Sequence, residues 1–301
     1  MKKAFLSTAL LLMSASVALA QSTAAPAAQS QPPAAQSPAP AAPATAPATP
    51  QTSVNAPNAK GAPQPKTQEE YKAYQAVITK TDPAQFETAS DEFAQKYPNS
   101  DLRVVLFKQL MNMYRGAGQT DRAIAAGRKA LSIDPTDPVP NVMVAFSLAQ
   151  STHDTDLDRD DRLNEATADA QRSIDNVDSG MAIPPNTPAD RVIDAKRGIQ
   201  AMAYETLGTI AMTKKNFPAA EVAFRKGIDV NKAEPDGVLY LRLAIALDND
   251  KKYQEALDAT DNAIKYNQSG SEALDLANKE KARLQKLVST QPTATPGPTA
   301  Q

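Results

Sequence analysis

Large and small apolar residues follow one another in a fixed order along the middle of the chain. When segment 104–135 is numbered from one, large side chains fall at positions 4, 7 and 11, and alanines fall at positions 20 and 27. Spacings of three and four residues place side chains on one face of a helix. The segment therefore predicts two antiparallel helices, because the small residues let the second helix approach the first closely. These positions are occupied by Phe107, Leu110, Tyr114, Ala123 and Ala130.

The same order returns in segments 201–232 and 237–268. Each has a tyrosine at position 4, a leucine at position 7 and small residues at positions 8, 20 and 27. An unrelated helical bundle would have no physical reason to repeat this order, so the pattern favours stacked helical hairpins. The positions are Tyr204, Leu207, Gly208, Ala220 and Gly227 in the first segment, and Tyr240, Leu243, Ala244, Ala256 and Ala263 in the second.

This order resembles the tetratricopeptide repeat (TPR), which is about 34 residues long. Segment 104–135 departs from the family pattern twice: Met111 stands where a small residue is usual, and Gly127 stands where an aromatic residue is usual. The resemblance implies an all-α protein, an α-solenoid of about five TPR-like helical hairpins with a C-terminal capping helix. It also implies strand content close to none.

Flanking segments complete the predicted array. An amphipathic helix over 67–80 and a second one that opens at Pro83 form the first hairpin. A further hairpin follows Pro135, and its second helix arrives nine residues late. The helix that begins at Ala189 is predicted to be unusually long, and 271–287 is predicted to be the polar capping helix.

The N-terminal residues have the pattern that is typical of a cleavable secretory signal peptide. Lys2 and Lys3 precede an apolar run over 4–17, and two small residues, Ala18 and Ala20, follow it. The run is shorter than the roughly 20 residues that span a bilayer. Residues 1–20 are therefore predicted to be removed. We expect a periplasmic or secreted protein without stable membrane insertion after cleavage.

Composition separates the folded region from its flanks. Residues 21–66 contain 15 alanines and 11 prolines in 46 positions. Such a segment buries too little apolar surface to offset the entropy of folding. It is predicted to be a disordered, polyproline-like spacer, and residues 289–301 a disordered tail. The α-solenoid is expected over 67–288.

Several kinds of chemistry are disfavoured by composition. The chain has no cysteine and one histidine, which leaves no zinc site, thiol nucleophile or disulfide. A net charge of −2 and the lack of a long basic run disfavour nucleic acid as a partner. Catalytic motifs for hydrolases, metalloproteases and nucleotide-binding enzymes are missing from the sequence. We expect a non-catalytic protein with no cofactor and no metal.

An acidic segment is the sharpest local pattern. Asp154, Asp156, Asp158, Asp160 and Glu165 have the spacing of oxygen ligands in an EF-hand calcium loop. An arginine, however, stands where the loop needs glycine, and an aspartate stands at its usual apolar position. A solvated acidic loop that caps the next helix is the favoured interpretation. Calcium binding stays the alternative. The two departures are Arg159 and Asp161.

The TPR resemblance also implies a binding surface, because the first helix of each hairpin lines the concave groove in that family. The surface is cationic at one end and apolar at the other, which suits a partner segment with an acidic end and apolar residues along its length. Lys108 and Asn112 resemble half of the family's clamp for a terminal carboxylate, but the other half is missing. The candidate groove residues are Lys108, Asn112, Arg115, Met202, Met212, Leu241, Arg242 and Ile245.

The sequence thus predicts a protein–protein interaction scaffold of the cell envelope or secreted space, which binds a peptide or a helix in its groove. The alternative is a structural envelope component that binds glycan or peptidoglycan. Sugar faces usually stack on aromatic rings, and the chain has seven phenylalanines, eight tyrosines and no tryptophan. That composition weakens the alternative. The identity of the partner does not follow from the sequence.

Overall fold

The computed structural model describes residues 60–184 and 186–290. The predicted signal peptide and most of the predicted spacer and tail lie outside the described residues. The elements are β1 (Lys60–Gly61), α1 (Gln68–Ile78), α2 (Pro83–Lys96), α3 (Leu102–Gly116), α4 (Thr120–Ile133), α5 (Pro138–Ser151), α6 (Arg159–Asn176), β2 (Ala182–Ile183), α7 (Ala189–Thr213), α8 (Phe217–Val230), α9 (Gly237–Asn249), α10 (Tyr253–Tyr266) and α11 (Glu272–Thr290).

The helices pack in consecutive pairs. Helices α3 and α4, α5 and α6, α7 and α8, and α9 and α10 form four hairpins, each of which packs on the next, and α1 with α2 forms a fifth. Helix α11 lies against α10 and α9 as a cap. The predicted all-α, TPR-like solenoid of five hairpins with a capping helix is confirmed. The long helix expected from Ala189 is α7, which has 25 residues.

The turn inside three hairpins has one geometry. Gly118, Lys215 and Lys251 occupy position 15 of their segments and have φ of 69°, 57° and 62°. In each case the next amide donates to the carbonyl five residues earlier, at 2.8 to 2.9 Å. This is the Schellman motif that ends a helix with a left-handed residue. The backbone therefore marks the repeat independently of the side chains.

Two of these turns have a lysine where glycine is preferred. Replacing that lysine by glycine is therefore expected to stabilise the fold. A left-handed residue with a β-carbon is strained by about 1 kcal/mol. Lys215→Gly and Lys251→Gly are therefore each expected to raise the melting temperature by roughly 2 to 4 °C. Lys214→Gly is the control, because Lys214 has φ of −79°. Scanning calorimetry measures all three, and equal effects at Lys214 and Lys215 would contradict the turn geometry.

The two departures of segment 104–135 from the family pattern compensate each other. A β-carbon built on Gly127 would lie 2.3 Å from Val144 Cγ2 on α5 and 3.0 Å from Met111 Sδ. In the segment that starts at Ala201 the sizes are exchanged: a β-carbon on Gly208 would lie 2.3 Å from the Phe224 ring. Positions 8 and 24 therefore share one space between paired helices. A large residue at either position requires a small one at the other.

The structure corrects the N-terminal boundary of the folded region. Composition places residues 60–66 in the disordered spacer, but β1 pairs with β2 in parallel, Lys60 opposite Ala182 and Gly61 opposite Ile183. Lys66 Nζ donates to the carbonyl of Asn99 at 2.6 Å. Residues 60–66 therefore contact the solenoid, and α11 extends two residues into the predicted tail.

Candidate functional site: the first-helix surface

The candidate groove residues all lie on the first helices of their hairpins. Helix α3 carries three of them, α7 carries two and α9 carries three. Helix α5 lies between, packed directly on α7. We call the solvent-facing side of α3, α7 and α9 the first-helix surface. This surface includes Asn112 and Arg115 on α3, Met202 and Glu205 on α7, and Val238, Arg242 and Ile245 on α9.

Lys108 has a structural role that the sequence did not reveal. Its Nζ lies 2.6 Å from Asp137 Oδ2, and the Asp137 side chain is 3% exposed. The other carboxylate oxygen accepts from the amide of Val139 and caps α5. Lys108 therefore joins α3 to the start of α5, and its charge is already neutralised. This corrects its assignment as a contact for an acidic partner.

Asn112 and Arg115 lie at the α3 end of the surface. Both are exposed, and within the described chain no carboxylate oxygen lies within 4 Å of the Arg115 guanidinium. Desolvation lowers the pKa of Arg115 from its usual value. It stays charged at neutral pH. An unpaired, partly desolvated guanidinium attracts carboxylates more strongly than one in open water.

The apolar residues at the other end differ in their exposure. Met202, Met212 and Ile245 are half-buried and pack against the core with one side. Leu241 is 6% exposed and packs with Ala263. It belongs to the interior, which corrects its assignment as a groove contact. Val238, in contrast, is exposed at the start of α9.

An ion pair links α7 to α9 across the surface. Arg242 Nε lies 3.2 Å from Glu205 Oε1, and both side chains are 21% exposed. Arg242 Nη1 donates to Thr209 Oγ1 at 3.2 Å. Desolvation raises the pKa of Glu205, and the nearby Arg242 opposes that rise. The pair fixes the spacing of the two helices and leaves Arg242 only partly available to a ligand.

The acidic segment does not form an EF-hand. Helix α6 already begins at Arg159, and both oxygens of Glu165 accept from Arg128, at 2.6 and 2.7 Å. Asp156 accepts from the amide of His153 instead. Arg159 also reaches the carbonyl of Thr213 at 2.9 Å and ties the loop to the end of α7. Within residues 60–184 and 186–290, no group of three acidic or histidine side chains is arranged to hold a metal.

This arrangement predicts that calcium has no effect on stability. Glu165 would have to break its bidentate hydrogen bonds with Arg128 before it could bind an ion. Millimolar calcium is expected to leave the melting temperature unchanged within about 1 °C, since a ligand stabilises only through binding to the native state. A concentration-dependent rise of several degrees that Glu165→Ala abolishes would contradict this expectation.

Among the described residues, no helix has both the length and the apolar character needed to cross a membrane.

Comparison with known proteins finds similar solved structures but no match to a family model or to a curated protein. Among solved structures, MamA is 17% identical, with a TM-score of 0.47, over 71% of this chain and 93% of that one. The Pseudomonas aeruginosa protein PilF is 15% identical, with a TM-score of 0.48, over 74% and 96%.

A third similar structure is TTC0263, a thermophilic TPR protein from Thermus thermophilus. It is 13% identical, with a TM-score of 0.42, over 72% of this chain and 98% of that one. Similarities at this level do not establish the fold by themselves. The helix pairing, the shared turn and the complementary positions 8 and 24 define the class: an α-solenoid of TPR-like hairpins.

Proposed function

We propose that the chain is a non-catalytic scaffold that binds another protein through its first-helix surface. One observation carries the proposal: the surface has a cationic end and an apolar end. At the α3 end, Arg115 is unpaired within the described chain and lies one helical turn from Asn112. At the α9 end, the apolar side chains are Val238 and Ile245. A peptide or helix with an acidic end and apolar residues along its length complements both regions. From the signal sequence we propose a periplasmic or secreted location.

Charge and apolar contacts are expected to act on different steps of binding. Charged groups at the rim of an interface steer encounter, whereas buried apolar contacts slow dissociation. Methionines at Met202 and Met212 are flexible and polarisable, so this part of the surface adapts to varied apolar anchors. The scaffold therefore selects its partner by the acidic end more strictly than by the apolar residues.

Binding measurements on matched variants test the proposal. A partner captured with the full chain is titrated against Arg115→Glu and Val238→Asp. Arg115→Glu is expected to lower the association rate about tenfold at low salt and less at high salt. Val238→Asp is expected to raise the dissociation rate about tenfold.

Each variant has a control at an exposed residue of α8, which is the second helix of the α7–α8 hairpin. Val222 is 55% exposed and serves as Val222→Asp. Lys226 is exposed and serves as Lys226→Glu. Circular dichroism and melting verify that all four variants fold. If the α8 variants weaken binding as much as the α3 and α9 variants, the first-helix surface is not the site. Retention of the parent protein on purified peptidoglycan without a protein partner would favour the glycan-binding alternative.

A further inference from the structure

Residues 60–66 contact three of the loops that join successive hairpins. Lys66 reaches the α2–α3 loop at Asn99, and Lys60 reaches the α4–α5 loop at Asp134, with Nζ and Oδ2 2.5 Å apart. Strand β1 then pairs with β2 in the α6–α7 loop. We call Asp134 and β2 the loop track.

The C-terminal half of this segment is firmly held. The amide of Lys66 donates to Glu70 Oε2 at 2.6 Å, and Thr67 caps α1 through the amide of Glu70. Glu70 is 3% exposed and also accepts from Ser100. The hydrogen bond from Ser100 holds the pKa of Glu70 below its usual value despite burial. The segment is therefore anchored where it enters α1.

The N-terminal half is held far less. Strand β1 has two residues, and Lys60 is 48% exposed. Between the two halves, Ala62, Pro63 and Pro65 are half-buried, and the prolines donate no backbone hydrogen bond. A strand pair of two residues is marginal by itself, and exposed ion pairs add little. The contact of residues 60 and 61 with the loop track is therefore weak.

The loop track has the features of a site that accepts an added strand. Its β2 backbone pairs with an extended segment, which is a common mode of peptide recognition. Asp134, with a side chain 14% exposed, supplies one half-buried charge next to the residue that pairs with β2. Burial opposes its ionisation, but hydrogen bonds from Lys60 and Thr136 outweigh it, and its pKa lies below the usual value. The track therefore discriminates in favour of a cation at one position of the strand.

We propose that the loop track is a second binding site, for an extended peptide that carries a lysine or arginine at the residue facing Asp134, and that residues 60–63 are its resident occupant. The chain's own segment defines the chemistry of the ligand: a cation, then small residues, then proline. Because it is covalently attached, it occupies the track at a high effective concentration. A separate peptide therefore binds only when the resident segment is weakened.

A labelled peptide with the sequence of residues 60–66 is the probe, and fluorescence anisotropy with the full chain is the measurement. Lys60→Glu places a carboxylate against Asp134 and is expected to release the resident strand. The probe is then expected to bind this variant at least tenfold more tightly than the parent chain. Adding Asp134→Lys to Lys60→Glu is expected to remove that gain. Lys72→Glu, an exposed lysine of α1, is the matched control and is expected to behave as the parent.

Equal probe affinity for the parent and for Lys60→Glu would overturn the proposal. So would binding to Lys60→Glu that does not depend on Asp134.

Disulfide trapping identifies the resident occupant directly, because the native chain contains no cysteine. Gly61 and Ile183 are Cα partners in the parallel pair, a separation that suits a disulfide. Gly61→Cys with Ile183→Cys, oxidised in dilute solution, is expected to give a cross-linked monomer whose mobility differs from that of the reduced form. A disulfide-linked dimer would show that the occupant comes from a second copy, and no cross-link would show an empty track. Either result would overturn the assignment of residues 60–63 as the resident occupant.

Discussion

Replacing Gly208 by methionine is expected to lower the free energy of unfolding by about 3 kcal/mol, at the upper end of the usual cost of overpacking. A β-carbon added at this position would lie 2.3 Å from the Phe224 ring. The added side chain must displace this ring, because Gly208 is buried and the three atoms nearest to a β-carbon there all belong to Phe224. Gly198→Met on the same helix is the control, since nothing lies within 4 Å of a β-carbon at Gly198. That variant is expected to be neutral or slightly stabilising.

The matching change on α8 tests whether the two positions share one space. Phe224→Gly alone is expected to lower the free energy of unfolding by roughly 4 to 6 kcal/mol, from the lost side chain and the added glycine. Gly208→Met with Phe224→Gly recreates the arrangement of Met111 and Gly127. The double variant is expected to lose at least about 2 kcal/mol less than the sum of the single variants. Urea unfolding measures all three, and strict additivity would contradict the shared space.

The second large effect concerns the pH dependence of stability. Asp169 on α6 is 1% exposed, and burial raises the pKa of its carboxyl group to about 6, although the contact with Arg172 opposes the rise. The carboxyl group binds its proton more tightly in the folded chain than in the unfolded chain. Folding is therefore favoured as pH falls through 6, and the gain is complete below the unfolded value near 3.8. The shift corresponds to about 3 kcal/mol.

The effect of Asp169 on stability is best measured between about pH 7.5 and pH 5. Within it, Asp169 is expected to add about 1 kcal/mol of stability as the pH falls. Carboxylates with lowered pKa, such as Glu70 and Glu87, lose their stabilising effect only at lower pH. Asp169→Asn is expected to flatten the profile of stability against pH in this range. Asp175→Asn, an exposed residue of the same helix, is expected to keep the parent's slope. An unchanged slope in Asp169→Asn would show that another group is responsible.

Much of the fold was predictable because helix spacing and side-chain size are local properties of the sequence. Leu207 and Gly208 specify both the buried face of α7 and its close approach to α8, so the hairpin follows from the residues alone. The complementary pair Met111 and Gly127 was visible only as two departures from the family pattern. Their compensation depends on the distance between side chains on two helices, which the pattern does not contain.

The strand pair could not have been found in this way. Lys60 and Gly61 pair with residues more than a hundred positions later, and their neighbours have the alanine and proline content of a spacer. No periodicity spans such a distance. The pairing depends on where the α6–α7 insertion folds back, and this is set by packing of the hairpins.

The candidate site was predictable in its location but not in its details. Repeat position indicates which helix face a residue occupies, and it placed Asn112 and Arg115 at the surface. It does not indicate how deeply a neighbouring helix covers that face, so the burial of Leu241 was missed. Repeat position also does not reveal the ion pairs between Lys108 and Asp137 or between Arg242 and Glu205, because each of these pairs joins two different hairpins.

Site-specific photo-crosslinking in the producing cell tests the proposed binding surface most directly. A photoreactive amino acid is placed at Val238 on α9, at Arg115 on α3 and, as a control, at Val222 on α8. One partner protein is expected to be cross-linked from both Val238 and Arg115, and Val222 is expected to give no adduct with it. A partner cross-linked only from Val222, with none from the two first-helix positions, would contradict the assignment of the binding surface.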